Sequence, residues 1–162
     1  MKPLPQEGGY YVETYRSAET VAAAALPGRY GGDRTFGTAI LYLLTAESFS
    51  VLHRLKSDEV FHFYLGDPVT MLQLHPDGSS EVVALGGDLV GGQKVQVLVP
   101  RGTWQGCFVA DGGEFALMGT TVAPGYESGD FELGQREELV SKYPDQEELI
   151  VRLTRKPVSF ES

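Results

Sequence analysis

The residues best suited to chemistry lie in one stretch, residues 53–66, which has the sequence HRLKSDEVFHFYLG. The stretch combines two histidines, two acids and three aromatic side chains, and its pattern is typical of a strand, a turn and a second strand. A histidine beside a carboxylate can serve as a general base or as a metal ligand. His53 and Glu59 are therefore the candidate catalytic residues.

Alternation along the predicted strand 59–65 indicates which side chains face the interior. Side chains alternate between the two faces of a strand, so Glu59 shares a face with Phe61, and His62 shares the other face with Tyr64. We expect the phenylalanine face to be the interior. A buried carboxylate needs a partner, for which Arg54 is the candidate. A bulge would turn His62 and Tyr64 inward instead, so both are candidate ligand-binding residues.

A second stretch, residues 99–106 with the sequence VPRGTWQG, is the predicted partner of the first. Trp104 can stack on a flat ring, although core packing would also explain it. Arg101 can form paired hydrogen bonds with phosphate or carboxylate, as can Arg16 and Arg54, although a turn arginine is often only a solvated charge. The remaining predicted hydrogen-bonding residues of the site are Ser57, Asp58 and Gln105.

The rest of the chain predicts a β-rich fold that could hold these two stretches together. The 20 glycines fall at turn-like sites between short segments rich in apolar and β-branched residues, which favours an antiparallel sandwich or barrel. The predicted strands are residues 10–16, 38–45, 49–55, 59–65, 69–75, 81–85, 95–99, 105–110 and 115–122. Residues 17–34 are predicted as a loop. Helical spacing appears only after residue 125 and predicts a helical cover over about residues 134–155.

Length and charge restrict the class of protein. A chain of 162 residues is expected to form one domain over residues 1–162, with the barrel over about residues 10–123. The net charge of −9 disfavours nucleic-acid binding. No apolar run is long enough to span a membrane, and the single cysteine, Cys107, excludes an internal disulfide. We therefore expect a cytoplasmic protein with neither nucleic acid nor membrane as a partner.

Several motifs resemble one known group of proteins. The segments QEGGYYVETYR, HRLKSDEVFHFYLGD, VPRGTWQG and TVAPGYESGDFEL resemble the cupin superfamily, and in particular its RmlC-like fifth family, domain of unknown function 985. The resemblance covers residues 7 to about 153. It implies an all-β fold, a double-stranded β-helix jelly roll with a short helical segment at its C-terminal end.

The cupin metal motif is matched only in part. That motif has an HxH pair, a glutamate, a glycine seven residues later, and then PxGxxH; the matching positions are Glu59, Gly66, Pro100 and Gly102. Counted back from the glutamate, the HxH positions carry Leu52 and Arg54, with His53 offset by one, and Gln105 replaces the last histidine. Because catalytic metals in such sites prefer imidazole ligands, we predict no metal and no cofactor.

The resemblance leaves three functional hypotheses. The first is a small-ligand-binding cupin that binds an anionic nucleotide or nucleotide-sugar in the barrel. The second is an enzyme similar to the sugar-nucleotide 3,5-epimerases, with His53 as base; Tyr64 or Tyr126 would then replace the tyrosine acid that strand 115–119 lacks. The third is a metal-dependent cupin enzyme. We also expect a homodimer, since the strands 10–16 and 38–45 are apolar enough to pair between copies.

Overall fold

Short strands dominate the computed structural model, which describes residues 1–155. The strands are β1 (Lys2–Pro3), β2 (Tyr10–Arg16), β3 (Thr20–Val21), β4 (Arg34–Thr35), β5 (Thr38–Thr45), β6 (Phe49–Arg54), β7 (Asp58–Gly66), β8 (Val69–Leu74), β9 (Ser80–Leu85), β10 (Gln96–Val99), β11 (Trp104–Val109), β12 (Phe115–Ala123) and β13 (Glu132–Leu133). The α-helices are α1 (Arg136–Lys142) and α2 (Glu147–Arg152), and three-residue 3-10 helices cover Ala23–Ala25, Ser128–Asp130 and Pro144–Gln146. None of the helices within residues 1–155 is long and apolar enough to cross a membrane.

Two antiparallel sheets form the walls of the barrel. The first has the strand order β1-β2-β5-β12-β7-β10 and the second the order β13-β6-β11-β8-β9, while β3 and β4 pair separately. From β5 to β8 the chain alternates between the two sheets at each step. This alternation is the arrangement of a jelly roll, so the predicted antiparallel fold is confirmed.

The predicted loop over residues 17–34 was wrong in part. It contains β3, which pairs with β4 at the end of the segment, where Val21 lies opposite Arg34. Strands β1 and β13 were also absent from the prediction. Each of these four strands has only two residues, which is too short for an alternating pattern to appear in the sequence.

The space between the sheets is filled at one end by apolar side chains. Tyr42 and Leu44 of β5 pack there with Phe61 of β7 and Met118 of β12, all of them 1% exposed or less. The same strands continue toward the other end with smaller or polar inward residues, including Thr38 of β5. The barrel is therefore sealed at one end and hollow at the other.

A second core lies outside the barrel. Helices α1 and α2 cover the second sheet, and Leu139 and Ile150 pack there against Leu52 and Leu74. The backbone N–H of Leu52 also donates to the carbonyl oxygen of Leu153 at 2.8 Å. The predicted C-terminal helical segment is present, and its apolar sides close the outer face of the sheet.

Candidate active site in the barrel

A cavity of about 380 Å³ occupies the hollow end of the barrel. Pockets of this size are large enough to hold a small organic molecule. Its apolar wall includes Leu4, Ile40, Leu55, Val122 and Phe131. Its polar groups come from both sheets, from the N-terminal segment and from the loop that follows β12; they include Glu7, Glu13, Arg16, His53, Glu59 and Tyr126.

His53, near the end of β6, presents a basic nitrogen to this cavity. Its Nδ1 lies 2.7 Å from the carbonyl oxygen of Val51. A carbonyl oxygen can only accept, so Nδ1 carries the proton and Nε2 keeps its lone pair. The side chain is only 2% exposed, and burial lowers the pKa of His53. The ring also stacks on Phe131 with 4.8 Å between centroids, which fixes its plane.

Glu59, at the start of β7, supplies a carboxyl group to the same cavity. It is 7% exposed, and burial, followed by the charge of Glu7, raises its pKa to about 7. A carboxyl group with such a pKa is protonated in a large fraction of molecules at neutral pH. Glu59 can therefore donate a proton or a hydrogen bond while neighbouring His53 stays neutral.

Gln105 of β11 lies between these two residues. Its Nε2 is 2.9 Å from His53 Nε2 and 3.5 Å from Glu59 Oε2. The amide thus donates to the imidazole lone pair, which becomes free for a ligand only when the amide moves away. Within residues 1–155, the Oε1 atom of Gln105 has no hydrogen-bond partner, although it is buried.

Glu7 is a site residue that sequence reasoning missed. Its Oε1 accepts a hydrogen bond from Ser50 Oγ at 3.0 Å, and its Oε2 lies 3.9 Å from His53 Nε2. Burial raises the pKa of Glu7 to about 7. The cavity therefore contains two carboxyl groups, those of Glu7 and Glu59, that titrate near neutral pH.

An unusual turn carries Glu7 into the barrel. Gln6 has a φ of 67° and Gly8 a φ of 105°, so the backbone is left-handed on both sides of the glutamate. The carbonyl oxygen of Glu7 accepts from the N–H of Val51 at 3.0 Å, and that of Gly8 accepts from the hydroxyl of Tyr42 at 2.8 Å. The paired glycines after Glu7 signal a tight turn, but these contacts with distant strands leave no local signal in the sequence.

Arg16, a predicted ligand-binding residue, lines the cavity, but its charge is already matched. Its guanidinium pairs with Glu13 at 2.8 Å and with Glu127 at 3.0 Å. It also donates to the carbonyl oxygen of Tyr126 at 3.2 Å. An anion would have to displace one of these carboxylates to bind here.

Of the two tyrosines considered as acids, only Tyr126 lines the cavity. Burial raises its pKa to about 12, so its hydroxyl keeps its proton. Tyr64 is 53% exposed on the outer face of the first sheet, where its ring stacks with His62. The irregularity in the pairing of β7 lies beyond His62, so the expected alternative in which both turn inward is wrong.

Arg54 and Trp104 lie together, but outside the cavity. Arg54 follows His53 on β6 and so points to the opposite face, where it pairs with Glu132 at 2.8 Å. Its guanidinium lies 4.4 Å from the ring centroid of Trp104, whose indole packs on the C-terminal core. The expectation that both residues converge with His53 and Glu59 is wrong.

The remaining predicted residues hold the turns beside the barrel mouth. Ser57 is buried and shares a hydrogen bond of 2.8 Å with the hydroxyl of Tyr30. Asp58 accepts from the backbone N–H of Arg101 at 2.8 Å. Neither Ser57 nor Asp58 lines the cavity, and Arg101 borders a second depression instead.

Comparison with known proteins agrees with this architecture. The family model described as "Cupin superfamily (DUF985)" matches residues 1–134. The chain belongs to this cupin family. A structure from Shewanella oneidensis is 34% identical, with a TM-score of 0.80, and the match covers 93% of this cupin and 89% of that chain. A hypothetical protein from Leishmania major is 32% identical, with a TM-score of 0.83 and coverage of 95% and 93%.

A curated relative extends the comparison to yeast. The uncharacterized protein YML079W of Saccharomyces cerevisiae is 28% identical over an alignment of 133 residues, and the match covers 77% of this cupin. The match spans 66% of the length of the yeast protein. The predicted family and the cupin jelly roll are thus confirmed, while the chemistry has to be inferred from the cavity.

The structure corrects the alignment of the metal motif. His53 and Leu55 both line the cavity, so they occupy the HxH positions, whereas Leu52 packs into the C-terminal core and Arg54 faces away. This cupin therefore retains one histidine of the motif, with Leu55 and Gln105 at the other two histidine positions.

This donor set does not fit the metal site of metal-binding cupins. Within residues 1–155, no group of three or more His, Cys, Asp or Glu side chains is arranged to hold a metal ion. An apolar side chain cannot coordinate a metal, and an amide is a poor substitute for imidazole. We therefore derive the chemistry of the cavity from its own acid and base groups.

Proposed function

We propose that this cupin binds a small, uncharged polar molecule in the barrel cavity and transfers protons to and from it. The observation that carries the proposal is the meeting of one neutral imidazole with two carboxyl groups whose pKa values are about 7. Desolvation creates a base, His53, and two acids, Glu7 and Glu59, that coexist at neutral pH. Such a set suits proton abstraction beside a carbonyl group, as in isomerisation or epimerisation.

The roles follow from the positions of the groups. His53 Nε2 would take the proton from carbon once the ligand displaces the amide of Gln105. A protonated Glu59 or Glu7 would donate a hydrogen bond to the carbonyl oxygen as negative charge develops there. Tyr126, which keeps its proton, is the candidate donor for return of a proton to the other face of the ligand.

The charge of the cavity argues for an uncharged ligand. Its polar groups include Glu7, Glu13 and Glu59, and its one arginine, Arg16, is already paired with two carboxylates. Among the cavity-lining side chains of residues 1–155, a nucleotide phosphate would meet these carboxyl groups without an unpaired cation to offset them. Sugars and other small polyhydroxy carbonyl compounds match the volume and the mixed apolar and polar walls better than the nucleotide that we expected from the sequence.

A solvent-exchange screen tests the proposal. The protein would be incubated in deuterium oxide with a panel of aldoses, ketoses and small hydroxycarbonyl compounds, and deuterium on carbon would be detected by mass spectrometry. We expect exchange with at least one compound. Melting shifts with these compounds but no exchange would reduce the function to binding alone, and the absence of both would refute the proposed ligand class.

A further inference from the structure

A second depression, of about 430 Å³, borders the cavity on the other side of Leu55 and Phe131. Both residues line the two hollows and form the wall between them. Four cationic side chains surround this depression: Arg29, Arg54, Lys56 and Arg101. Such a concentration of positive charge is unexpected in a chain whose net charge is −9.

Several of these positive charges have no carboxylate partner. Arg54 is paired with Glu132, and the buried Asp130 of the depression is paired with Arg34. By contrast, within residues 1–155 neither the ammonium of Lys56 nor the guanidinium of Arg101 has an ion-pair or hydrogen-bond partner.

The remaining charged groups around the depression are Arg29 and the carboxylate of Asp58. The guanidinium of Arg29 donates to the carbonyl oxygen of Lys56 at 3.0 Å and lies 4.7 Å from the ring centroid of Tyr30. The exposed Asp58 adds one negative charge at the rim, beside Arg101. Asp130 is neutralised by Arg34, Glu132 by Arg54, and Asp58 offsets one more cation. Of the four cations around the depression, two therefore remain without a matching negative charge.

The backbone that carries these cations is fixed before any ligand arrives. Lys56 lies in the turn between β6 and β7, and Arg101 lies in the turn between β10 and β11. The two turns are joined by the hydrogen bond from Gly102 N–H to the carbonyl oxygen of Leu55 at 2.9 Å, and by that from Arg101 N–H to Asp58 at 2.8 Å. Because the two turns are joined, only the side chains of Lys56 and Arg101 have to be ordered on binding, which costs less entropy than ordering the backbone as well.

We propose that this depression binds a phosphate group. A phosphate dianion matches the two remaining positive charges, and its oxygens suit both the guanidinium fork of arginine and the point charge of lysine. The site lies outside the acid–base cavity, so this inference does not rest on the proposed reaction. The occupant is either free phosphate or the phosphate of a small metabolite, because the acidic surface elsewhere disfavours a nucleic acid.

Calorimetric titration with inorganic phosphate, pyrophosphate and glycerol 3-phosphate at low ionic strength tests the site. We expect binding that weakens as salt is added, since the contacts are electrostatic and partly exposed. Arg101→Gln and Lys56→Gln should each weaken binding at least fivefold. Tighter binding of glycerol 3-phosphate than of inorganic phosphate would identify a phosphorylated metabolite as the occupant, and equal binding would identify free phosphate.

Two further variants guard against misfolding and non-specific charge effects. Arg152→Gln removes an exposed arginine that pairs with Asp111 and does not line the depression. This variant should bind phosphate like the wild type. Glu132→Gln releases Arg54 from its carboxylate and should tighten binding, a gain that a damaged fold could not produce. The proposal is overturned if the wild type binds none of the three anions at concentrations on the order of 10 mM. It is also overturned if either Arg101→Gln or Lys56→Gln binds like the wild type, or if Arg152→Gln weakens binding as much as these two variants do.

Discussion

The two hollows on either side of Leu55 and Phe131 differ in their ionisable groups and in their exposure to water: buried carboxyl groups line the cavity, and cationic side chains surround the depression. In the cavity, Glu7 and Glu59 are desolvated, and burial raises both pKa values to about 7. In the depression, Arg101 is exposed and remains a solvated cation. Burial raises the pKa of the carboxyl groups in the cavity, so that they can keep a proton near neutral pH, whereas exposure leaves the cation of the depression in contact with water.

The largest expected effect is on proton exchange. His53→Gln removes the imidazole that lines the cavity within residues 1–155, so exchange on any active ligand should fall about 10²-fold or more. Exchange rates in deuterium oxide would be measured beside His75→Gln, which alters a histidine outside the cavity and should leave the rate unchanged. Exchange that persists in His53→Gln would move the base to another group. Phosphate binding in the depression should not change in either variant.

The turn that carries Glu7 depends on the glycine that follows it, Gly8, so a substitution there should destabilise the fold. A side chain at Gly8 would collide with the carbonyl oxygen of Phe49, and its φ of 105° disfavours any other residue. Gly8→Ala should therefore destabilise the fold by about 2–4 kcal/mol in chemical denaturation. Gly28→Ala is the matched control, because no atom lies within 4 Å of the added carbon there. Equal stability of the two variants would show that the turn can relax.

These residues also show why the fold was easier to predict than the site. Alternation along β7 placed Glu59 and Phe61 inward, and turn glycines separated most of the long strands. Adjacent residues of a strand point to opposite faces, so His53 and Arg54 could never have shared one cavity. Glu7 was beyond prediction because its position depends on hydrogen bonds to strands more than 30 residues away in sequence.

The raised pKa of Glu59 predicts a pH-dependent stability. Ionising this buried carboxyl group is harder in the folded state, where its pKa is about 7, than in the unfolded state, where its pKa is about 4.5. The free energy of unfolding therefore falls as pH rises from about 4.5 to about 7. Glu59→Gln removes that titration and should be more stable than the wild type at pH 8, by about 1–3 kcal/mol, with no advantage at pH 4.

Urea titrations at both pH values measure this difference. Glu47→Gln, in an exposed turn, is the control and should change stability by less than about 0.5 kcal/mol at either pH. A Glu59→Gln variant that is less stable than the wild type at pH 8 would mean that the ionised carboxylate is well solvated or paired in the fold.

The smallest effect concerns assembly, for which we propose a homodimer. The outer face of the first sheet exposes Tyr64, Leu98 and Phe115, and exposed apolar faces of this kind often pair between copies. Leu98→Glu should weaken the dimer about tenfold in sedimentation experiments, whereas Val82→Glu on the second sheet should not. A monomeric wild type at micromolar concentration would contradict the proposal.

We propose above all that the cavity pairs a neutral imidazole with carboxyl groups that are still protonated near neutral pH. Carbon-13 NMR titration of the glutamate carboxyl groups, assigned with Glu7→Gln and Glu59→Gln, measures this directly. Two resonances should titrate near pH 7 and should disappear singly in the two variants, well separated from the exposed glutamates. If Glu7 and Glu59 both titrate below pH 5, the cavity holds no proton donor at neutral pH and the acid–base account is wrong.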